Sequence, residues 1–460
     1  MIYFAYNILS LFLFIVVYFF IDIMDVFVDM TFLELYLSIS YFISLGWAML
    51  KFNKYPLFLL VIIVFGLFIY SRFILDSVGL LPYPINLATR FIGNLFDIST
   101  MRESILIYIV SLVGLSFAFS FIYFIKNKDK SKNYNYSLLK KIGFYLILLS
   151  LPGVVFKMFI TLKTVMYSSS GYLALYLENP NSGMERVIEF ISYKLYLVGV
   201  SFYISSNLNK KDFLKLSFFT LPITIVYLIS GKRNEFGITI LFLMWYWFSF
   251  IRLHDVSLKK LMLFGLLIFI PVSLLFQKVN DSRANGSQND SSIIISISSF
   301  FAQQGVSGIV LPYYIEYNNK LSKDYPYILS PIIDRGARGG GQSLDLLRNT
   351  NYLGHELTAV VDYDAFLAGE GLGASYITEL YSLGNSKFSV FLGMFFLGIL
   401  ILYFEINKNI PIIKYLSYLI LSTILFLPRG EMFELFYEFI FLIIIWYITK
   451  FFVKNKEINY

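Results

Sequence analysis

The chain has 460 residues, of which 58% are hydrophobic and only 15% are charged, and its formal net charge is +7. Soluble domains carry roughly a quarter charged residues, so this composition excludes a soluble enzyme, a disordered protein and a nucleic-acid binder that works by surface charge. The absence of cysteine excludes disulfide scaffolds and thiolate catalysis, and a total of two histidines argues against a His-rich metal centre. Long, continuous apolar runs, unlike the alternating strands of a barrel, predict an all-α polytopic integral membrane protein.

The apolar runs predict twelve transmembrane helices. In chain order they cover 2–22, 31–50, 56–75, 104–125, 142–159, 187–206, 214–230, 236–251, 261–276, 386–405, 410–427 and 432–452. One large extracytoplasmic loop, 277–385, separates helices 9 and 10. The predicted organisation is therefore an N-terminal membrane bundle (1–276), this loop, and a C-terminal membrane part (386–460). Within the loop, 293–315 is predicted to form an amphipathic or re-entrant helix at the outer surface.

The lysines predict the orientation of the chain. If the N-terminus is cytoplasmic, lysine clusters follow the even-numbered spans, as the positive-inside rule requires. Both termini are therefore predicted to be cytoplasmic. The lysines that support this orientation are Lys51, Lys54, Lys126, Lys128, Lys130, Lys132, Lys140, Lys141, Lys210, Lys211, Lys215, Lys259, Lys260, Lys408, Lys414, Lys450, Lys454 and Lys456.

The arginines are distributed opposite to the lysines: only Arg252 falls on the predicted cytoplasmic side. Because a guanidinium group pairs bidentately with phosphate or carboxylate, their position predicts an anionic ligand outside. For a single arginine, the alternative is a surface position near an aromatic belt. The arginines on the predicted outer side are Arg72, Arg90, Arg102, Arg186, Arg233, Arg283, Arg335, Arg338, Arg348 and Arg429.

Six basic residues are predicted to bind this anion. Arg335 and Arg338 precede a run of glycines that ends at Gly341, a pattern that suits a diphosphate because backbone N–H groups lie beside two guanidinium groups. The alternative for the glycines is a flexible turn. The other four lie at the ends of predicted spans, at the level of a lipid headgroup, where the alternative for any one of them is snorkelling. They are Arg72, Lys232, Arg233 and Arg429.

Two residues are candidates for the general base. Glu370 is flanked by Gly369 and Gly371, which would allow close approach of a bulky substrate, so it is the first choice. Its alternative role is to begin a helix and pair with an arginine. His355 is the second choice, with a structural or surface role as the alternative. Lys194, inside a predicted span, is expected to snorkel outward or to pair with Glu189. No metal site and no cofactor are predicted.

Several of these features together resemble the Wzy-type O-antigen and capsular polysaccharide polymerases. They are the twelve-span layout, the late outer loop, Ser-Gly-Lys-Arg at 230–233, Gly-Glu-Gly-Leu-Gly-Ala-Ser-Tyr-Ile-Thr-Glu-Leu-Tyr at 369–381 and Pro-Arg-Gly at 428–430. The resemblance covers most of the chain. It implies a bacterial cytoplasmic-membrane enzyme that joins repeat units carried on undecaprenyl diphosphate, at the outer face of the membrane. It also implies a chain-length regulator protein as a partner.

Two other functions stay open at this point. A lipid-linked glycan flippase could also have twelve spans, although transporters place their sites near the bilayer midplane, whereas here the charged residues concentrate in outer turns. An oligosaccharide ligase of similar architecture would use the same leaving group and differ only in its acceptor.

Overall fold

The computed structural model describes residues 29–87, 95–119, 121, 136–168, 173–177, 183–231, 233–252, 257, 260, 293–322, 324–334 and 341–456. These residues form helices and connecting turns, and their only extended pairing is an isolated bridge between Leu87 and Leu95. The longer helices are α1 (Met30–Leu50), α2 (Pro56–Ser77), α3 (Ile98–Ala118), α4 (Tyr136–Tyr167), α6 (Met184–Ser205), α7 (Lys210–Ile229), α8 (Arg233–Ile251), α9 (Ile293–Gln304), α16 (Lys387–Asn407), α17 (Pro411–Phe426) and α18 (Phe436–Lys456). The shorter ones are α5 (Ala174–Leu177), α10 (Val310–Tyr317), α11 (Ser330–Ile333), α12 (Leu344–Asn349), α13 (Leu353–Val361), α14 (Tyr363–Leu367) and α15 (Tyr376–Ser382).

Eight of the described helices are long and apolar enough to cross a membrane, and α17 is a shorter apolar helix. The all-helical class is therefore confirmed for the described residues. Ten predicted spans coincide with helices, and the other two, 2–22 and 261–276, lie outside the described residues. The total of twelve spans, the position of the loop and the three-part organisation stay predictions.

Helix α2 lies at the centre of the bundle. Pro56 occupies its first turn, where a missing N–H costs no hydrogen bond, and nearly every side chain from 57 to 65 is buried. The helix widens to a π-turn at Gly66–Tyr70. A Cβ atom on Gly66 would lie 2.0 Å from the hydroxyl oxygen of Tyr41, so only glycine leaves room for that ring. The final segment, Ser71–Ser77, carries Arg72.

Glycines also allow the helices around α2 to pack closely. A Cβ on Gly114 of α3 would lie 2.6 Å from the carbonyl oxygen of Phe391 on α16, and one on Gly398 would lie 2.4 Å from Ala118. Small residues at such crossings let helix backbones approach each other, which favours association in lipid. Helices α3 and α16 therefore form a tightly packed pair beside α2.

The segment between Ile293 and Tyr317 is a helix broken by a 3-10 turn at Gly305–Ile309. It packs against α2 and α3, because the Ser71 hydroxyl donates to the Phe301 carbonyl oxygen at 3.0 Å and the Tyr108 hydroxyl donates to the Gly308 carbonyl oxygen at 2.7 Å. The segment is therefore a broken helix packed against the bundle, and its amphipathic or re-entrant placement stays a prediction.

Ion pairs link the helices that follow. Lys194 of α6 pairs with Glu438 of α18, with 3.0 Å between the ammonium nitrogen and the carboxylate oxygen. Glu189 pairs instead with Lys157 of α4. The expectation that Lys194 would snorkel or pair with Glu189 was therefore wrong. Glu438 is distant in the sequence, and hydropathy alone gives no sign of which helices are neighbours.

Two buried carboxylates hold the part of the large loop between 322 and 356 together. Asp334 accepts hydrogen bonds from the hydroxyls of Tyr325 and Ser330 and from the backbone N–H of Asn351. Glu356 accepts from the hydroxyl and backbone N–H of Ser322, and from the Tyr327 hydroxyl at 3.0 Å. The described residues of this segment thus form short helices fixed by internal acceptors.

Candidate functional site

Three segments meet at one place, which we call the glycine-loop site: 352–358, 369–376 and, about fifty residues later in the sequence, 427–431. The backbone N–H of Tyr376 donates to the Leu427 carbonyl oxygen at 3.1 Å. The backbone N–H of Leu372 donates to the Thr358 hydroxyl oxygen at 2.9 Å. One bond joins two main-chain groups and the other ends on the buried Thr358 hydroxyl, so neither depends on an exposed side chain.

The glycines of this site serve its backbone geometry. Gly369 and Gly373 have φ angles of +85° and +77°, the left-handed region in which other residues are strained. A Cβ on Gly354 of α13 would lie 2.9 Å from the Gly373 carbonyl carbon. The loop therefore lies directly against the helix, and glycine is required on both sides of the contact.

Arg429 brings a cation to the site. Its guanidinium carbon lies 5.1 Å from the ring centre of Phe68, in the π-turn of α2. Its carbonyl oxygen would lie 4.0 Å from a Cβ on Gly373, so the turn that carries it borders the glycine loop. The half-buried side chain is thereby held between α2 and the loop.

Arg72 lies on α2, one turn after Phe68. It differs from Arg429 in exposure. It is 1% exposed, its Nη2 donates to the Leu87 carbonyl oxygen at 3.2 Å, and its guanidinium carbon lies 5.0 Å from the Tyr83 ring centre. The sequence predicts a direct phosphate ligand here. The structure places a buried cation that fixes 83–87 and adds positive charge beneath the surface.

Glu370 lies on the loop with a half-buried side chain, and its main chain is fixed on both sides. Its N–H donates to the Ala365 carbonyl oxygen, and its own carbonyl oxygen accepts from Gln342 Nε2, both at 3.0 Å. The backbone of Glu370 is therefore held in place, and its carboxylate is only partly buried.

His355 has a more enclosed position on α13. Its ring centre lies 4.4 Å from that of Tyr352 and 5.7 Å from that of Phe366, both in edge-on contact. Enclosure by two aromatic rings favours the structural alternative over a role as base.

The remaining predicted ligands do not all share this site. Arg233 begins α8, after a turn in which Gly231 has φ +96°. Glu235, two residues later, interacts electrostatically with Lys157 and Tyr193, which belong to α4 and α6. The 230–235 turn thus neighbours a different set of helices. Lys232, Arg335 and Arg338 lie outside the described residues.

Three further residues take part in the site that sequence reasoning missed: Phe68, Gln342 and Thr358. Phe68 and Thr358 carry no sequence signal, because an aromatic or hydroxyl side chain in an apolar helix is common. Gln342 could have been noticed, since it directly follows the glycine run and is polar.

Within the part of the chain that the structure describes, no group of three or more His, Asp or Glu side chains could hold a metal ion.

The comparisons with known proteins identify the family of the chain. The model of one family, described as O-antigen polysaccharide polymerase Wzy, matches residues 7–456. No curated protein and no solved structure matches the chain. The family match includes every helix described above and all three segments of the glycine-loop site. Because it extends over nearly the whole length, the chain belongs to the Wzy family of O-antigen polysaccharide polymerases.

Proposed function

We propose that this membrane protein transfers a growing glycan from undecaprenyl diphosphate to a sugar hydroxyl of the next lipid-linked repeat unit, at the outer face of the bacterial cytoplasmic membrane. Family membership supports polymerisation of O-antigen repeat units. The donor, the acceptor and the residue roles below are our assignment. The observation that carries it is the convergence of Arg429 and Glu370 on one glycine loop.

The leaving group sets the first chemical demand. When the bond between the anomeric carbon and the phosphate oxygen breaks, negative charge grows on the lipid diphosphate. A fixed cation beside that oxygen stabilises the transition state more than the ground state. We assign this role to Arg429, with Arg72 supplying further positive charge from below. On the sequence pattern, Arg335 and Arg338 are further candidates.

The nucleophile sets the second demand. The acceptor hydroxyl must lose a proton as its oxygen attacks the anomeric carbon, and we assign Glu370 as the base that takes it. One C–O bond forms, one C–O bond breaks, the proton moves to Glu370 and the electron pair leaves with the diphosphate. Such a single displacement inverts the anomeric centre.

Arg429→Ala tests the assignment in purified protein supplied with lipid-linked repeat units in detergent. Polymer formation should fall by about 10²–10³-fold, the usual effect of removing one group that stabilises developing charge. Arg429→Lys should retain part of the rate, because the charge remains while the bidentate geometry is lost. A micelle has no sides, so any polymer formed also excludes pure transport.

Arg252→Ala is the matched control. Its guanidinium carbon likewise lies beside a phenylalanine, 5.9 Å from the Phe248 ring centre, but at the predicted cytoplasmic end of α8. It should polymerise at the wild-type rate. Equal rates for R429A and R252A would overturn the role given to Arg429.

A further inference from the structure

A second polar site lies away from the glycine loop, between α4 and α6. A cavity of about 480 Å³ is present there, within the range of roughly 300–1,000 Å³ that small-ligand pockets occupy. Its lining includes Lys157, Arg186, Glu189, Phe190 and Tyr193. The cavity is therefore large enough for a sugar and lined by both charged and aromatic groups.

The charges in this cavity are unusual for a predicted membrane helix. Ionisable groups within spans are costly and commonly mark a functional site. The Lys194–Glu438 pair joins α6 to α18 and is nearly buried, which is what a structural link requires. The Lys157–Glu189 pair instead keeps about a quarter to a third of each side chain exposed, and it opens into the cavity.

The lining fits a saccharide joined to a phosphate. Lys157 and Glu189 nearly cancel in charge but offer both donors and acceptors, as sugar hydroxyls require. Phe190 and Tyr193, 59% and 40% exposed, add aromatic rings, the groups on which the C–H side of a pyranose packs. The ammonium nitrogen of Lys194 lies over one face of each ring, 5.4 and 5.8 Å from the two ring centres. Arg186 is exposed near the start of α6, where its fork suits a phosphate oxygen.

The surroundings favour a ligand that arrives through the lipid. Phe159 on α4 and Ile191 on α6 are 64% and 51% exposed, so these helices present apolar surface beside the cavity. Helix α17, which leads to the Arg429 turn, packs against α6, which lines the cavity. The cavity and the glycine-loop site are thus joined through one helix.

We infer that this cavity is a second substrate site, which holds the lipid-proximal sugar and diphosphate of the acceptor unit while its distal hydroxyl extends toward Glu370. The inference rests on the proposed function, because a polymerase must hold two lipid-linked substrates at once. Arg429 then handles the departing diphosphate, and the α4–α6 cavity retains the one that stays attached.

Binding stoichiometry tests the inference. The probe is radiolabelled lipid-linked repeat unit, isolated from polymerase-deficient cells and added to nanodiscs that contain the Glu370→Gln protein, in which turnover is blocked. We expect two bound units per chain. Arg186→Ala with Tyr193→Ala should weaken one of the two by about 10- to 100-fold, the effect of losing a charged hydrogen bond. Arg429→Ala should weaken the other.

Photocross-linking provides a second measurement that does not depend on those substitutions. Benzoylphenylalanine in place of Val187, in the cavity lining, should cross-link to the labelled unit. The same amino acid in place of Leu214, an exposed residue of α7, should not cross-link. Three results would each overturn the second site. They are fewer than two bound units per chain when the cavity is unsubstituted, two units retained in the R186A/Y193A protein, and no cross-link at 187. Two bound units without polymer from the active enzyme would instead refute the proposed function and leave the site standing.

Discussion

Glu356 and His355 are neighbours in the sequence with opposite surroundings. The Glu356 carboxylate is buried and accepts hydrogen bonds from Ser322 and Tyr327, whereas the His355 ring contacts Tyr352 and Phe366. Burial raises the pKa of the Glu356 carboxyl above its ordinary value of 4.5, while the bonds from Ser322 and Tyr327 act in the other direction. This group therefore couples the stability of the loop to pH.

The sign of the coupling follows from the direction of the pKa shift. Since the folded state holds the proton more tightly than the unfolded state, the stabilisation is complete below pH 4.5 and is lost as the pH rises through the raised pKa. Amide exchange at 322–327, corrected for intrinsic rates, should show easier opening as the pH rises above that value. Glu356→Gln should remove the slope. Asp364→Asn, which alters an exposed carboxylate of the same loop, should keep it, and an unchanged slope in E356Q would identify a different titrating group.

Sequence reasoning found the residues whose pattern is local. Glu370 between glycines and Arg429 in a short turn both have such a pattern, and the structure brings their segments together. The sequence placed Arg72 near the C-terminal end of its helix but could not show that the side chain is buried, because its exposure depends on 83–87 folding over it. Gln342 binds the Glu370 backbone through a contact across the loop, which no spacing within one sequence encodes.

At the scale of helices and loops, α13 and the glycine loop pack so closely that Gly354 has no room for a side chain. Gly354→Ala would place a methyl group 2.9 Å from the Gly373 carbonyl carbon and 3.0 Å from its oxygen, so the backbone must move. We expect a loss of about 1–3 kcal/mol in stability, measured by thermal unfolding in detergent, together with slower polymerisation. Gly237→Ala on α8, where no atom lies within 4 Å of the new methyl, should change neither. Similar melting temperatures for both variants would contradict the close packing.

Long apolar helices were predictable because twenty consecutive apolar residues leave few other structures available in a membrane. The broken helix at 293–317 was harder, since its polar breaks and glycines fit two interpretations. The break itself depends on a tertiary contact: a Cβ on Gly308 would lie 2.6 Å from the Ile69 carbonyl oxygen, so the 3-10 turn packs on the π-turn of α2. The grouping of the outer arginines into two neighbourhoods depends on the same kind of helix-to-helix contact.

At the scale of the whole molecule, the predicted orientation can be tested without a background signal, because the chain has no cysteine. Single cysteines at Asp364 and Asn409, both exposed, should react from opposite sides of the membrane. In spheroplasts, which keep the cytoplasmic membrane intact, an impermeant maleimide should label the cysteine at 364, and the one at 409 should react only after permeabilisation. Labelling of 409 in unpermeabilised spheroplasts would reverse the topology and remove the basis for an extracytoplasmic site.

The hydrogen bond between Tyr376 and Leu427 also has a consequence for biosynthesis. The ribosome completes the glycine loop before it makes the turn that supplies the accepting carbonyl oxygen and Arg429. A nascent chain that extends only through α16 therefore carries the loop but not the partner that fixes it. On the proposed function, catalytic competence begins only when the last hairpin, α17 and α18, has entered the membrane, so a premature stop codon within that hairpin is expected to leave an inserted but inert protein.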